Sequence, residues 1–165
     1  MRFKNYINEE EYLKHIKFGI AYYPALIPPT DIEECKKLAI EIMADEKWAD
    51  DDGNYTISTK EIFEKIEKEL PKKEAEIVIK HETIHALQRK KAKYLLKGST
   101  DLGDDITNDK NKYLTLPSEI MAFAYTNAAG DKKYEKKYKE IGGNVYKLYL
   151  HYIKQYGKQV RKVYK

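Results

Sequence analysis

The run Ile77-Val78-Ile79-Lys80-His81-Glu82-Thr83-Ile84-His85-Ala86-Leu87-Gln88 decides how this chain is read. Its apolar spacing continues on both sides and predicts one helix from about Lys73 to Leu96, closed by Gly98. On a helical wheel Ile77, Val78, Ile84, Ala92, Leu95 and Leu96 form one inward stripe, and His81, His85 and Gln88 fall in its middle. Burying two imidazoles and an amide costs several kcal/mol unless each finds a partner. A metal ion supplies that partner for the histidines, because residues i and i+4 project from one helix face and can reach one cation. Glu82 points about a hundred degrees away, at the edge of that face. There it can accept a proton from a water rather than act as a ligand.

A catalytic zinc site takes three protein ligands and keeps one position open. The residues three and six after His85 are Gln88 and Lys91. They lack the Gly and His that the metzincin pattern puts there, which excludes that subgroup. The best third ligand is Glu119, in the first turn of a helix opened by Pro117-Ser118, with Ile120, Met121, Ala122, Phe123 and Ala124 around it. A carboxylate in such apolar company calls for a cation, although a Glu near a helix N-terminus also suits the helix dipole. An aspartate of the polar loop 98–116 (Asp101, Asp104, Asp105 or Asp109) is the competing third ligand. That loop is otherwise a solvated turn or a weak calcium site without the full EF-hand ligand pattern. The other histidines, His15 and His151, are not assigned to the site. His151 falls opposite the apolar stripe of its helix and is expected to be exposed.

Outward from this core, Asn8 is expected to cap a short helix over 9–13, and Phe18–Ile27 suits a strand or extended segment stopped by Pro28-Pro29. Thr30 with Glu33 reads as a capping box opening a helix to about Asp45, with Ile32, Cys35, Leu38, Ala39, Ile42 and Met43 as its apolar stripe. Asp50–Asn54 reads as a turn and Tyr55–Thr59 as a half-buried strand. Ser58 or Thr59 caps a helix from Lys60 to Leu70, which Pro71 ends. Tyr113–Leu116 suits a short strand, and the helix from Pro117 runs to Ala129-Gly130. The last 35 residues are helical with a break at Gly142-Gly143. Beyond it Val145, Leu148, Tyr149, Tyr152, Ile153, Tyr156 and Val160 keep the helical period. The expectation is an α+β fold, mostly helical, with a small sheet packed on the His81–His85 helix. A single domain spans 1–165, with a metal-site core over 72–130 and a basic helical segment over 131–165.

The chain has 165 residues, enough for one domain with a real core. At 42% apolar and 35% charged it is globular rather than disordered. A lone cysteine, Cys35, excludes a disulfide framework. No stretch approaches the ~18 to 20 apolar residues of a membrane span. The acidic turn after Met1–Tyr6 offers no signal-peptide core. A soluble, cytoplasmic protein without membrane partners is therefore expected. Charge is uneven: residues 131–165 carry eleven Lys/Arg against three acids, while the whole chain is only +4. Lys outnumbers Arg 28 to 3 and Tyr reaches 15, a bias that looks genomic rather than functional.

His81-Glu82-x-x-His85 followed by Glu119-x-x-Ala122 resembles the zincin metallopeptidases, in particular the gluzincin arrangement. There a second helix gives the glutamate ligand, often with a small residue three positions on. The resemblance covers residues 74–126. Where the best-known gluzincin has an aspartate four residues after that glutamate, this chain has Phe123. The residue backing the imidazoles is thus unidentified at this stage. The resemblance implies a Zn²⁺-dependent peptidase, acting on a peptide or protein substrate, with His81, His85 and Glu119 as ligands and Glu82 as general base. Tyr113 and Tyr125 are the nearest candidates for an oxyanion donor, and Tyr55–Thr59 offers an edge for an extended substrate. Two rival readings stand beside it. One is a zincin scaffold kept for binding or structure without catalysis. The other is a nucleic-acid-associated protein using the basic C-terminal segment, although Tyr149, Tyr152 and Tyr156 read better as core than as stacking platforms.

Overall fold

The computed structural model describes residues 16–96 and 110–163. In chain order the elements are β1 (Ile16–Lys17), β2 (Ile20–Ala21), α1 (Ile32–Ile42), β3 (Lys47–Ala49), β4 (Tyr55–Ser58), α2 (Thr59–Glu69) and α3 (Lys72–Lys91). A 3₁₀ turn (Lys93–Leu96), α4 (Lys110–Leu114), α5 (Pro117–Ala128), α6 (Glu135–Ile141) and α7 (Gly143–Val163) complete them. The described residues are mostly helical, with two separate two-stranded antiparallel hairpins among them in place of one sheet. β3–β4 packs on α2, and β2 packs on α7. No helix among the described residues is long and apolar enough to cross a membrane. The expected cap at Asn8, the helix stop at Gly98 and the aspartates of the 101–109 loop lie outside the described residues.

Local chemistry explains the boundaries. Asp31, one residue after the expected Thr30, caps α1 by accepting from the Glu34 amide at 3.2 Å. Ser58 caps α2 with a full capping box, its hydroxyl taking the Glu61 amide while the Glu61 carboxylate takes the Ser58 amide. α3 stops at Lys91 rather than at Leu96, because Ala92 leaves the helical region (φ −145°, ψ 55°) and the chain tightens into the 3₁₀ turn. The strand expected at Tyr113–Leu116 is instead the end of α4. The turn sends Leu114 and Leu116 into the core, and the Tyr138 hydroxyl donates to the Leu114 carbonyl at 2.8 Å. Gly142 and Gly143 break the C-terminal helix at positive φ (64° and 57°), where a side chain would be strained.

α3 lies between two apolar clusters. On one side Cys35 and Ala39 of α1, Met43 at its C-terminal cap and Phe63 of α2 close over Ile79 and Ala86. On the other, Ile84 and Leu87 meet α5, and α5 in turn meets α7 through Leu148, Tyr149, Tyr152 and Tyr156. The single inward stripe read from the wheel is therefore half of the burial, since Ile79, Thr83 and Ala86 form a second closed face. Residues 22–30 run as an extended strap. Its backbone is held by side chains: the Tyr152 hydroxyl donates to the Tyr23 carbonyl (2.7 Å), Tyr156 to Leu26 (2.8 Å) and Tyr94 to Tyr22 (2.5 Å), while the Ala25 amide donates to Gln155. Tyr152 and Tyr156 of α7 are thus core residues with their polar tips on the strap.

Candidate metal centre

α3 and α5 run antiparallel, so Gln88 meets Ser118 at one end of the contact and His81 meets Thr126 further along. Between them His81, His85 and Glu119 bring one nitrogen or oxygen each within 4.8 Å of one another. His85 Nε2 lies 2.9 Å and His81 Nε2 3.3 Å from the same Glu119 oxygen, Oε1. Glu119 is 6% exposed and His81 8%. Pro117 at the first position starts α5 without needing an amide partner, and this sets Glu119 in its first turn.

The opposite edges of both rings are already engaged. Gln88 donates its amide nitrogen to the Ser118 carbonyl (3.0 Å), which turns its oxygen toward His85 Nδ1 at 2.8 Å. His85 Nδ1 must then be the N–H. Thr126 donates its hydroxyl to the Ala122 carbonyl (3.1 Å) and so accepts from His81 Nδ1, also at 3.1 Å. Each ring thus turns Nε2 to Glu119, where it carries either a proton or a lone pair aimed at a cation. Two nitrogens converging on one buried carboxylate oxygen form a donor set that suits Zn²⁺ or a similar divalent ion.

The electrostatics of the cation-free chain follow. Burial pulls His85 down, but the Glu119 carboxylate, by charge and by hydrogen bond, and then Glu82 outweigh it and raise the ring to about 10. Burial alone would raise Glu119. The facing His85 charge and hydrogen bonding to both imidazoles hold it well below the usual carboxylate range instead. A proton on His85 therefore occupies the place a cation would take.

Of the other sequence candidates, Glu82 is half-buried on α3, and its charge acts on both His85 and Tyr113. Tyr113 is 39% exposed and its hydroxyl hydrogen-bonds Glu119. Burial, then the charge and hydrogen bond of Glu119, push that phenol well above its ordinary value, so it stays a donor. Tyr125 is placed differently, edge-on to Tyr156 with ring centroids 5.3 Å apart. His151, expected to be exposed, is half-buried beside Tyr22 and Phe18. β4, the expected substrate edge, packs on α2, which meets α3 on the side away from α5. Thr126 was missed from sequence. Its signal was its place seven residues after Glu119, two turns along one face of α5. Phe123, four residues after Glu119, packs edge-on against His81 at 4.6 Å. It joins Tyr113 and Tyr134 in an aromatic wall beside the cluster. Comparison with family models, curated proteins and solved structures found no match for this chain.

Proposed function

We propose that this protein is a zinc-dependent peptidase whose metal is held by His81, His85 and Glu119. The observation that carries the reading is the convergence of two histidine Nε2 atoms on one buried Glu119 oxygen, with Glu82 beside them. When bound there, the cation supplies Lewis acidity, acidifying water and polarising a peptide carbonyl. The chain's own residues do the rest. Gln88 and Thr126 fix the two imidazoles in the tautomer that leaves Nε2 for the cation. Glu82 accepts the proton of the attacking water and returns it to the departing amine. Tyr113 holds the Glu119 carboxylate through its hydroxyl and is the phenol best placed to donate to an oxygen that gains charge.

Against the rival nucleic-acid reading, Tyr149, Tyr152 and Tyr156 are at most 1% exposed and serve as core rather than as stacking platforms. A silent scaffold would need no acid at position 82. The test is a peptide-library cleavage assay on zinc-loaded wild type and Glu82→Gln. The expected result is a loss of about a hundredfold to ten-thousandfold in rate with metal content unchanged. Equal rates in the two proteins would overturn the assignment of Glu82, and no cleavage by zinc-loaded wild type would overturn the peptidase reading.

A further inference from the structure

The two faces of α7 differ in kind. Leu148, Tyr149, Tyr152 and Tyr156 are buried on the face toward α5. On the opposite face Lys147, Lys154 and Lys158 are exposed, and their spacing sets them in one row roughly 16 Å long. From 141 to 165 the chain holds no Asp or Glu, so α7 itself neutralises none of them. Neighbouring α6 does not reverse the sign, with Lys136, Lys137 and Lys139 against Glu135 and Glu140.

Two exposed apolar side chains flank that row. Leu150, 45% exposed, stands on one side of it. On the other side the tip of the β1–β2 hairpin rests on α7 and carries Phe18, 37% exposed. The Phe18 ring meets His151 edge-on at 6.1 Å, and a Cβ on Gly19 would stand 3.7 Å from Asn144 Nδ2. Lys17 comes with the hairpin, since its charge and that of Lys154 both act on His151. Phe18 and Gly19 have positive φ (53° and 74°), a turn geometry that suits Asn-Gly and strains a bulky residue. A ring kept exposed at a strained position asks for a functional reason.

We propose that this face adsorbs to an anionic lipid bilayer. Lys17, Lys147, Lys154 and Lys158 meet the headgroup charges, while Phe18 and Leu150 enter the apolar layer beneath. Phosphates alone would suit a nucleic acid too, but a duplex backbone offers Phe18 and Leu150 no such layer. The expectation of no membrane partner rested on the lack of a span, and adsorption needs none. The face looks away from α5, so adsorption does not cover His81, His85 and Glu119.

The test is co-sedimentation of the full chain with vesicles of one part phosphatidylserine to three parts phosphatidylcholine, against pure phosphatidylcholine. Wild type is expected to partition onto the anionic vesicles at least about tenfold more strongly. Lys147→Gln/Lys154→Gln/Lys158→Gln is expected to lose roughly a hundredfold, about fivefold per lysine. Phe18→Asn/Leu150→Gln keeps every charge and gives the turn its preferred residue, yet is expected to lose about tenfold. A mixed-sequence DNA duplex at equal phosphate concentration is expected to leave wild type on the vesicles. The proposal is overturned by equal binding to both vesicles, by undiminished binding of either folded variant, or by displacement with the duplex, which would make nucleic acid the partner. Should the lysine variant not fold, Phe18→Asn/Leu150→Gln decides alone.

Discussion

On the side of α3 that meets α1 and α2, Ile79, Thr83 and Ala86 are closed off by Cys35, Ala39 and Phe63. On the side that meets α5, His81, His85 and Gln88 are closed off by Glu119, Ser118 and Thr126. Both faces are buried, yet only the first is satisfied by contact alone. Thr83 is the polar exception on that face: its hydroxyl lies 2.8 Å from the Ile79 carbonyl of its own helix and reaches the Cys35 carbonyl of α1 only at 3.4 Å. The α5 face instead concentrates titratable groups whose orientation is fixed from behind, and its stability depends on what sits between them. One helix thus separates a face of apolar contacts from a face of converging titratable groups.

Paired substitutions break the comparison most forcefully. Glu119→Ala is expected to abolish stoichiometric zinc, measured as metal per chain, and chelation of wild type to lower its stability by about 4 kcal/mol where free zinc had been a thousand times Kd. Ile79→Ala is expected to cost about 2–5 kcal/mol in denaturant unfolding and to leave zinc at one per chain. A loss of zinc in Ile79→Ala would show that the two faces are not separable.

A smaller effect is expected of Thr126→Val, which keeps the shape but removes the acceptor behind His81. Zinc affinity, read by chelator competition, should fall about 10- to 100-fold. An unchanged affinity would mean that Thr126 does not orient His81.

The mildest probe is pH. His85 is raised to about 10 in the cation-free chain. Its pairing with Glu119 therefore stabilises that state fully between about 4.5 and 6.5, the ordinary values of the carboxyl and the imidazole, fades as pH climbs through about 10, and is also lost in acid as Glu119 takes up a proton. Zinc must displace the same proton, so its apparent affinity should rise about tenfold per pH unit between pH 7 and 9, with one proton released per zinc bound. Calorimetry in buffers of different ionisation enthalpy measures that proton directly.

The polar face was legible in sequence because His81 and His85 are chemically conspicuous at a spacing the helix enforces, and because Pro117 marks where Glu119 enters. The packing face was not, because it has few members and Thr83, a polar residue, interrupts Ile79 and Ala86 and masks their period. β3, only Lys47–Ala49, exists through its pairing with β4 and has too few residues to announce itself. Thr126 is an ordinary threonine until α5 is laid against α3. Asp31 displaced Thr30 as the cap because either side chain can take the role, and the register of the helix decides between them.

The strap over 22–30 carries a consequence in time. Its bonds to Tyr152, Gln155 and Tyr156 join positions 129 or 130 residues apart. Closing so long a loop is slow, and the contacts that reward it come only after α7 exists. At ribosomal speeds the strap therefore waits on the order of ten seconds for the helix that holds it. During that interval Tyr22, Tyr23 and Leu26 lack the core surface they pack on in the finished fold.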